Sequence, residues 1–587
     1  MARIHQLISI KTFTGLLLFV LGLLWFYFPG EYVLIANRDL SLFLPTPGYL
    51  RSFLDRPGGF LEYLGSLLSQ FYRIRLAGAI CLGLVLATMY LVSQRLFARI
   101  SGHKAPQAMG AISALLLLGM HNFYPHQLSH SLGLILTLAL AAHVPSGKRK
   151  RRMYLALALP LIYLLGGGFM WFFCGLVITG FLMDRAKADV PSLLLCLLYP
   201  VMIYALGTRF IFLYPWKDLA LAQLPLGPTY GSSPWPIYFA AWIFLMILLL
   251  RLPAWRRKLP RLWRTGLEIL FSLVAGLLIL HFSFSRKNAE LFTIEKLAIQ
   301  EDWKSLLAYA KEHPSSNLFG SFYTNLALAH EGLLLEDLFQ YPQGFGRKGL
   351  CFEWEEKSEI LRRGSDFFWA ILFVNEAHHW AFESWIIDGP TRRNLQRLIQ
   401  TELVRGNLKI AEKYIDHLGT ALFQKKLAKR YAAFLHQPEA LPLDPELGPR
   451  FHTQMPKDFF SEGADLEKNL RSVLANHPSN PLALDYLMAL YLLEKQVDKI
   501  PALLPAYQEV HQGSLPTLLE ESLLVYQITH RENPIPDLKL SPATLQRFDA
   551  YTQILRQYRN PEEAARMLYP NYKDTFWFHL NFHTLAN

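Results

Sequence analysis

Apolar residues fall in nine long runs over the first half of the chain, at roughly 12–28, 76–93, 106–120, 130–144, 153–166, 168–183, 190–207, 234–250 and 265–283. A helix needs about 20 mostly apolar residues to cross the hydrocarbon of a bilayer. The pattern therefore predicts a polytopic helical bundle over residues 1–285, with the third, fourth and fifth runs at the short end. No small-residue cleavage site follows the first run, so it reads as a retained anchor rather than a signal peptide. Beyond about 288 apolar residues recur at helical spacing between polar ones, without the alternation of a strand. Residues 286–587 therefore predict a second, polar, all-α domain.

Charge sharpens this division. Residues 1–285 carry 25 Lys+Arg against 8 Asp+Glu, a balance of +17, and the remainder carries 33 against 38, a balance of −5. The basic excess belongs wholly to the apolar half, which argues for a membrane role and against a nucleic-acid partner. It is concentrated in four loops. These hold Arg95, Arg99 and Lys104; the run Lys148, Arg149, Lys150, Arg151, Arg152; Arg185 and Lys187; and six residues between Arg251 and Arg264. In a nine-helix topology these are alternate loops, on the same side as Arg3 and Lys11, and the positive-inside rule makes that side cytoplasmic. The opposite side receives 29–75, 121–130, the turn 166–168, 208–233 and everything after about 284. The four cysteines (Cys81, Cys174, Cys196, Cys351) show no metal or redox spacing.

Within the polar half, "KEHPSSNLFGSFYTNLALAHEGLL" (311–334) and "ANHPSNPLALDYLMALYLLEKQ" (475–496) share His-Pro-Ser, an Asn and an apolar helix with small residues inside. Between them, 398–435 reads as helix, Gly-Asn turn, helix, turn, helix. The arrangement resembles tetratricopeptide repeats, in which stacked helix pairs bury faces that no pair buries alone. That resemblance implies an α-solenoid with a concave surface for a protein or peptide; a structural cap is the alternative. "NEAHHWAFES" (375–384) puts Glu376, His379 and Glu383 on one helix face, but the second motif of a diiron bundle is missing, so a hydrogen-bonded helix face is the better reading.

The first predicted external loop, 29–75, is rich in charge and turn chemistry. It holds the acids Asp39, Asp55 and Glu62, the arginines Arg38, Arg51, Arg56, Arg73 and Arg75, and a Pro-Gly-Gly turn at 57–59. An acid soon after the first membrane helix, in "NRDLSLFL", together with the architecture of the whole chain, resembles the GT-C membrane glycosyltransferases; no WWD-like signature accompanies it. The chain is also similar to an uncharacterised family of Bacteroidota membrane proteins, through "PGG", "YLG" and "QFY" at 57–59, 63–65 and 70–72. The GT-C resemblance implies a polyprenyl-phosphate-linked sugar or glycan donor used on the periplasmic side of the bacterial inner membrane, with the helical repeats presenting a periplasmic protein acceptor. It implies Asp39, Asp55 or Glu62 as base or acceptor-binding acid, and a divalent metal such as Mg or Mn as an optional cofactor.

Such a transfer needs a base for the acceptor hydroxyl and cations for the leaving phosphate. Arg38, Arg56 and Arg209 suit phosphate because a planar guanidinium engages two oxygens at once, and His126, with His121 and His130, adds donors. The competing reading of the same residues is structural. Arginines near helix ends anchor to headgroups, acids pair with them, and the Pro-Gly-Gly turn starts an amphipathic in-plane helix. Two further readings of the chain follow: a non-catalytic, membrane-anchored repeat scaffold of an envelope assembly or secretion complex, and a transporter of lipid-linked carbohydrate. The transporter is disfavoured, because Glu268 is the one acid well inside a predicted span and no inverted repeat is visible.

Overall fold

The structure, a computed structural model, describes residues 10–38, 42–102, 105–183, 189–212, 215–226, 230–231, 233–250, 261–452, 465–532, 534–536 and 538–583. Helices make up all of its regular structure, and no strand occurs among the described residues. The chain divides into two compact units. One takes the residues up to Ala289 together with Thr420–Phe423; the other takes Glu290–Gly419 and the chain from Gln424 onward.

In the first unit, α1 (Ile10–Tyr27), α2 (Glu31–Arg38), α3 (Pro47–Leu54) and α4 (Gly59–Ser69) lead into the long α5 (Arg75–Ser101). Then follow α6 (Gln107–Asn122), α7 (Leu128–His143), α8 (Lys148–Gly166), α9 (Phe169–Met183), α10 (Val190–Leu206), α11 (Trp216–Ala220), α12 (Trp235–Leu249) and α13 (Arg261–Ser283). The centre is α6, buried on every side from 108 to 122 and packed against α5, α12 and α13. A helix apolar all round has no solvent face to offer, so burial is its stable location. Helices α1 and α5 approach closely through glycine: a Cβ on Gly83 would lie 2.8 Å from the Phe19 carbonyl oxygen. Elsewhere the unit turns large apolar side chains outward, among them Leu157 on α8 (74% exposed) and Leu198 on α10 (64% exposed).

Among the described residues an apolar helix stands at each of the predicted runs, but three are long and apolar enough by themselves to cross a membrane: Arg75–Ser101, Val190–Ile211 and Gly266–Ser283. The pair Lys11–Tyr27 and Glu31–Arg38, bent by 69°, makes a fourth if read as one broken span. For α6, α7, α9 and α12 the shortfall is one of length, whereas α8 has 19 residues but starts with five basic ones. At about 1.5 Å per residue a 15- or 16-residue helix such as α6, α7, α9 or α12 covers only about 24 Å of a hydrocarbon layer about 30 Å thick.

The helix ends sort into two sets. At one, Arg99 donates to the Ala142 carbonyl (2.7 Å), the Gln107 N–H donates to Glu268 (2.7 Å), and Arg152 pairs with Asp189 (2.5 Å). At the other, the C-termini of α1, α6 and α13 meet through Trp25, Asn122 and Ser283. Sequential antiparallel helices produce this sorting.

The second unit comprises α14 (Arg286–Ile299) from Glu290 on, α15 (Trp303–Glu312), α16 (Leu318–His330), α17 (Leu334–Asp337), α18 (Ser358–Ala370), α19 (Val374–Asp388), α20 (Arg392–Val404), α21 (Leu408–Thr420) as far as Gly419, α22 (Lys425–His436), α23 (Gly448–His452), α24 (Leu466–Asn476), α25 (Pro481–Leu493), α26 (Leu504–Val510), α27 (Thr517–Thr529), α28 (Pro542–Gln557), α29 (Pro561–Tyr572) and α30 (Phe576–Phe582). The two His-Pro-Ser segments are the same device used twice. An Asp-capped helix (Asp302 on α15, Asp465 on α24) ends at a His (His313, His477), and an Asn then caps a 13-residue buried helix. Asn317 accepts from the Phe319 N–H (2.8 Å) and Asn480 from the Ala483 N–H (3.1 Å), satisfying donors that a helix start leaves free. Deeper in the unit, Glu295 on α14 receives Arg363 (2.6 Å) and Arg393 (2.8 Å), and Arg393 also reaches Asp366 and Tyr323, tying α14, α16, α18 and α20 together. The two arginines beside it hold Glu295 down at about 2 against the rise that burial causes.

Candidate functional site

The four segments predicted to share one external side come together at one end of the first unit. The Gly58 N–H donates to the Leu164 carbonyl (3.0 Å), and the Gly168 N–H to the Ala222 carbonyl (2.8 Å). Gly58 (φ +83°) and Gly167 (φ +59°) touch backbone to backbone: a Cβ on Gly167 would lie 2.9 Å from the Pro57 oxygen and 2.8 Å from the Ala222 oxygen. Glycine is required there by both conformation and contact. The Pro-Gly-Gly turn thus locks loop 29–75 onto the turn 166–168 and onto the segment after α11. Asn37 on α2 donates to the Tyr124 carbonyl (2.9 Å), and the Tyr32 hydroxyl to the Asn122 carbonyl (2.6 Å), fastening the same loop to 121–130.

Between 121–130 and 208–233 lies a buried chain of titratable groups. His126, 1% exposed, contacts the Tyr230 hydroxyl through Nδ1 (2.8 Å) and the Ser131 hydroxyl through Nε2 (2.9 Å). Ser131 Oγ also contacts His121 Nε2 (2.9 Å). His130 packs beside His126 and Tyr230, with ring centroids 5.4 and 5.3 Å apart. Burial first, then the neighbouring His121 and His130, push the His126 imidazole well below its ordinary value; burial pushes the Tyr230 hydroxyl above its own. Both groups are neutral near pH 7. A neutral imidazole donates from one nitrogen and accepts at the other, so the chain runs either from Tyr230 to His121 or in reverse. Reversal by proton hops leaves Tyr230 one proton short and His121 one in excess, so the chain stays neutral only when a proton enters at one end as another leaves at the other.

The other predicted residues divide. Arg56 pairs with Glu62 at 2.5 Å, and Arg75 with Glu31 at 3.1 Å while also donating to the Tyr27 carbonyl (2.6 Å). Glu62 and Arg56 are therefore engaged with each other. Asp55 is exposed at the C-cap of α3 and has no ion-pair partner among the described residues. Arg209 is exposed in the π-helical turn Gly207–Ile211, also without an ion pair there. Arg38 ends α2, half-buried. Asp39 lies outside the described residues. Among the described residues no three His, Cys, Asp or Glu side chains converge as a metal site would need, so no chemistry is routed through Mg or Mn. In the second unit Glu376 accepts from Trp380 Nε1 (2.7 Å) and sits 3.2 Å from His379, which stacks on Trp354: a hydrogen-bonded helix face.

Tyr230 and Ser131 escaped the sequence reading. Tyr230 lies about a hundred residues from His126, and no local spacing connects them. Residues 6–583 match the model of a family of unknown function, DUF6057, and the chain belongs to that family. No curated protein and no solved structure matches the chain.

Proposed function

We propose that this member of the family is a multi-pass membrane glycosyltransferase of GT-C type, using a polyprenyl-phosphate-linked donor on the periplasmic side of the bacterial inner membrane. The observation that carries the reading is the convergence of loops 29–75, 121–130, 166–168 and 208–233 around the Tyr230–His126–Ser131–His121 chain. Glycosyl transfer needs a proton acceptor at a site shielded from bulk water, and a reversible chain of neutral groups supplies a path for that proton. With Glu62 engaged by Arg56, the acid that meets the acceptor hydroxyl is Asp55 or Asp39. Arg209, exposed and without an ion pair among the described residues, is a guanidinium for the leaving phosphate. The outward apolar side chains of α1, α5, α8, α10, α12 and α13 support a lipid-facing belt wider than the three long helices provide. A short helix such as α6, sheathed by other helices, has no lipid contact to match. The second unit, with its twice-used capped helix pair, is the tetratricopeptide-like acceptor-binding part.

A second reading is favoured by the Arg56–Glu62 and Arg75–Glu31 pairs, which consume charge that a phosphate site would keep free. On it, the loop is a structural cap and the chain a non-catalytic scaffold for an envelope complex. Envelope glycan profiles decide between them, in cells carrying a full deletion, Asp39→Asn, Asp55→Asn or Tyr230→Phe at equal protein level. The enzyme reading expects loss in the deletion and in at least one acid variant, and slowed transfer in Tyr230→Phe. A normal profile in the deletion would overturn it.

A further inference from the structure

The second unit draws four guanidiniums inward on α18 and α20, and three of them have their acceptors. Arg363 donates to Glu295 (2.6 Å) and to the Glu359 carbonyl (2.9 Å). Arg393 donates to Glu295 (2.8 Å), Tyr323 and Asp366. Arg397 donates to Asp366 (3.1 Å) and Gln400 (3.0 Å). Arg362 is the exception. It is 8% exposed, and its buried Nη1 has no hydrogen-bond partner among the described residues. Its ion-pair partner, Asp388 Oδ2 at the C-terminus of α19, stands off at 3.7 Å and already accepts from the Ser358 hydroxyl. Three more buried side-chain atoms on α18, α19 and α20 lack a partner: Arg363 Nε, Arg392 Nε and the hydroxyl of Ser384, one turn before Asp388 on the same face of α19. All of them can donate, and no carboxylate or carboxamide oxygen of these helices is left over to accept. Charge agrees. Arg362, Arg363, Arg393 and Arg397 are paired with three acids, Glu295, Asp366 and Asp388, which leaves one positive charge in excess.

An arginine stays charged at physiological pH, so Arg362 cannot relieve its burial by giving up a proton. A buried cation without an acceptor is among the costliest groups a fold can hold. We infer that a halide ion, chloride in the cell, binds against Arg362 where the start of α18 meets the C-terminus of α19, with Arg362 Nη1 as its donor. One excess charge calls for a monovalent ion; a phosphate would reverse the sign. Burial strips the ion of its water, which costs a halide less than a phosphate or a carboxylate. The orphaned donors also sit on separate side chains, whereas a carboxylate is met by the parallel fork of a single guanidinium. A water molecule would supply an acceptor but leave the excess charge in place. The inference concerns the second unit alone and does not rest on the glycosyltransferase reading.

The test is hydrogen exchange of the full chain in detergent, in sodium chloride or in sodium gluconate of equal ionic strength, whose anion is too large to enter. Chloride should slow the amides of Ser358–Ala370 and Val374–Asp388 relative to those of Pro481–Leu493. The slowing should saturate, reaching about tenfold at ten times the dissociation constant. Bromide should replace chloride in the same assay, and should relieve the broadening of the chloride NMR line that the parent chain causes. Arg362→Met removes the buried charge. It should abolish both the chloride dependence and the line broadening. In gluconate it should exchange no faster than the parent, which there carries a guanidinium without an acceptor. Equal exchange of the parent in the two salts, the result expected if water alone fills the place, would overturn the proposal. So would chloride protection that persists in Arg362→Met, or faster exchange of that variant than of the parent in gluconate.

Discussion

Glu521 on α27 offers a quantitative test of the second unit. Its side chain is wholly buried. One carboxylate oxygen accepts from the Phe576 N–H at 2.6 Å; the other has no hydrogen-bond partner, and the nearest cation, Arg547 Nη1, stands 3.8 Å away. Burial, with Asp574 and Glu336 adding a smaller push, raises the carboxyl to about 8, while the Phe576 N–H and Arg547 oppose the rise. The folded state therefore holds a proton that the unfolded chain releases above about 4.5. Its contribution is fully present below that value and is lost as pH climbs through about 8. At about 1.36 kcal/mol per pH unit of displacement, the ceiling is about 5 kcal/mol. Between about pH 6 and pH 9 the expected loss is about 1–2.5 kcal/mol after water penetration and relaxation. The assay is hydrogen exchange of the full chain in detergent, following Thr517–Thr529 and Phe576–Phe582, with opening free energies corrected for intrinsic rates at each pH. Glu521→Gln keeps the shape and an acceptor for Phe576 but does not titrate, so its opening free energy should stay level. A flat profile in the parent chain, or the parent's slope retained in Glu521→Gln, would refute the reasoning.

Three further outcomes are expected. Glu295→Gln leaves Arg363 and Arg393 buried without their carboxylate, and should destabilise α14 and α18 by about 3–5 kcal/mol in exchange measurements, whereas acid alone should remove this contribution only as pH falls from about 4.5 toward about 2. Gly58→Ala puts a Cβ at positive φ, 3.0 Å from the Gly167 nitrogen, and should lower stability in detergent by about 1–3 kcal/mol; an unchanged melting temperature would refute the locked-turn account. A reporter fused after Asn587 should be active only as a periplasmic enzyme, and cytoplasmic activity would overturn the odd number of crossings.

The helical character of the whole chain and the position of its apolar segments were legible without coordinates, because both follow from periodicities of a few residues. The His-Pro-Ser repeat was visible for the same reason: a cap is a local hydrogen bond, two or three residues from donor to acceptor. Span number was not legible in this way. Crossing depends on length against bilayer thickness and on whether a helix meets lipid or protein, and α6 is enclosed by helices from both ends of the first unit. Charge pairing was beyond reach as well. Arg56 and Glu62 are near neighbours whose pairing depends on the turn between them, while Glu31 and Arg75 lie 44 residues apart and meet only because α2 folds back on the start of α5. The buried chain is the extreme case. Its histidines sit close in sequence, but Tyr230 arrives from a loop about a hundred residues away, delivered by the five intervening helices α7 to α11. Local chemistry wrote the elements; the long-range packing of small residues such as Gly58 and Gly167 decided which polar side chains would share a dry interior.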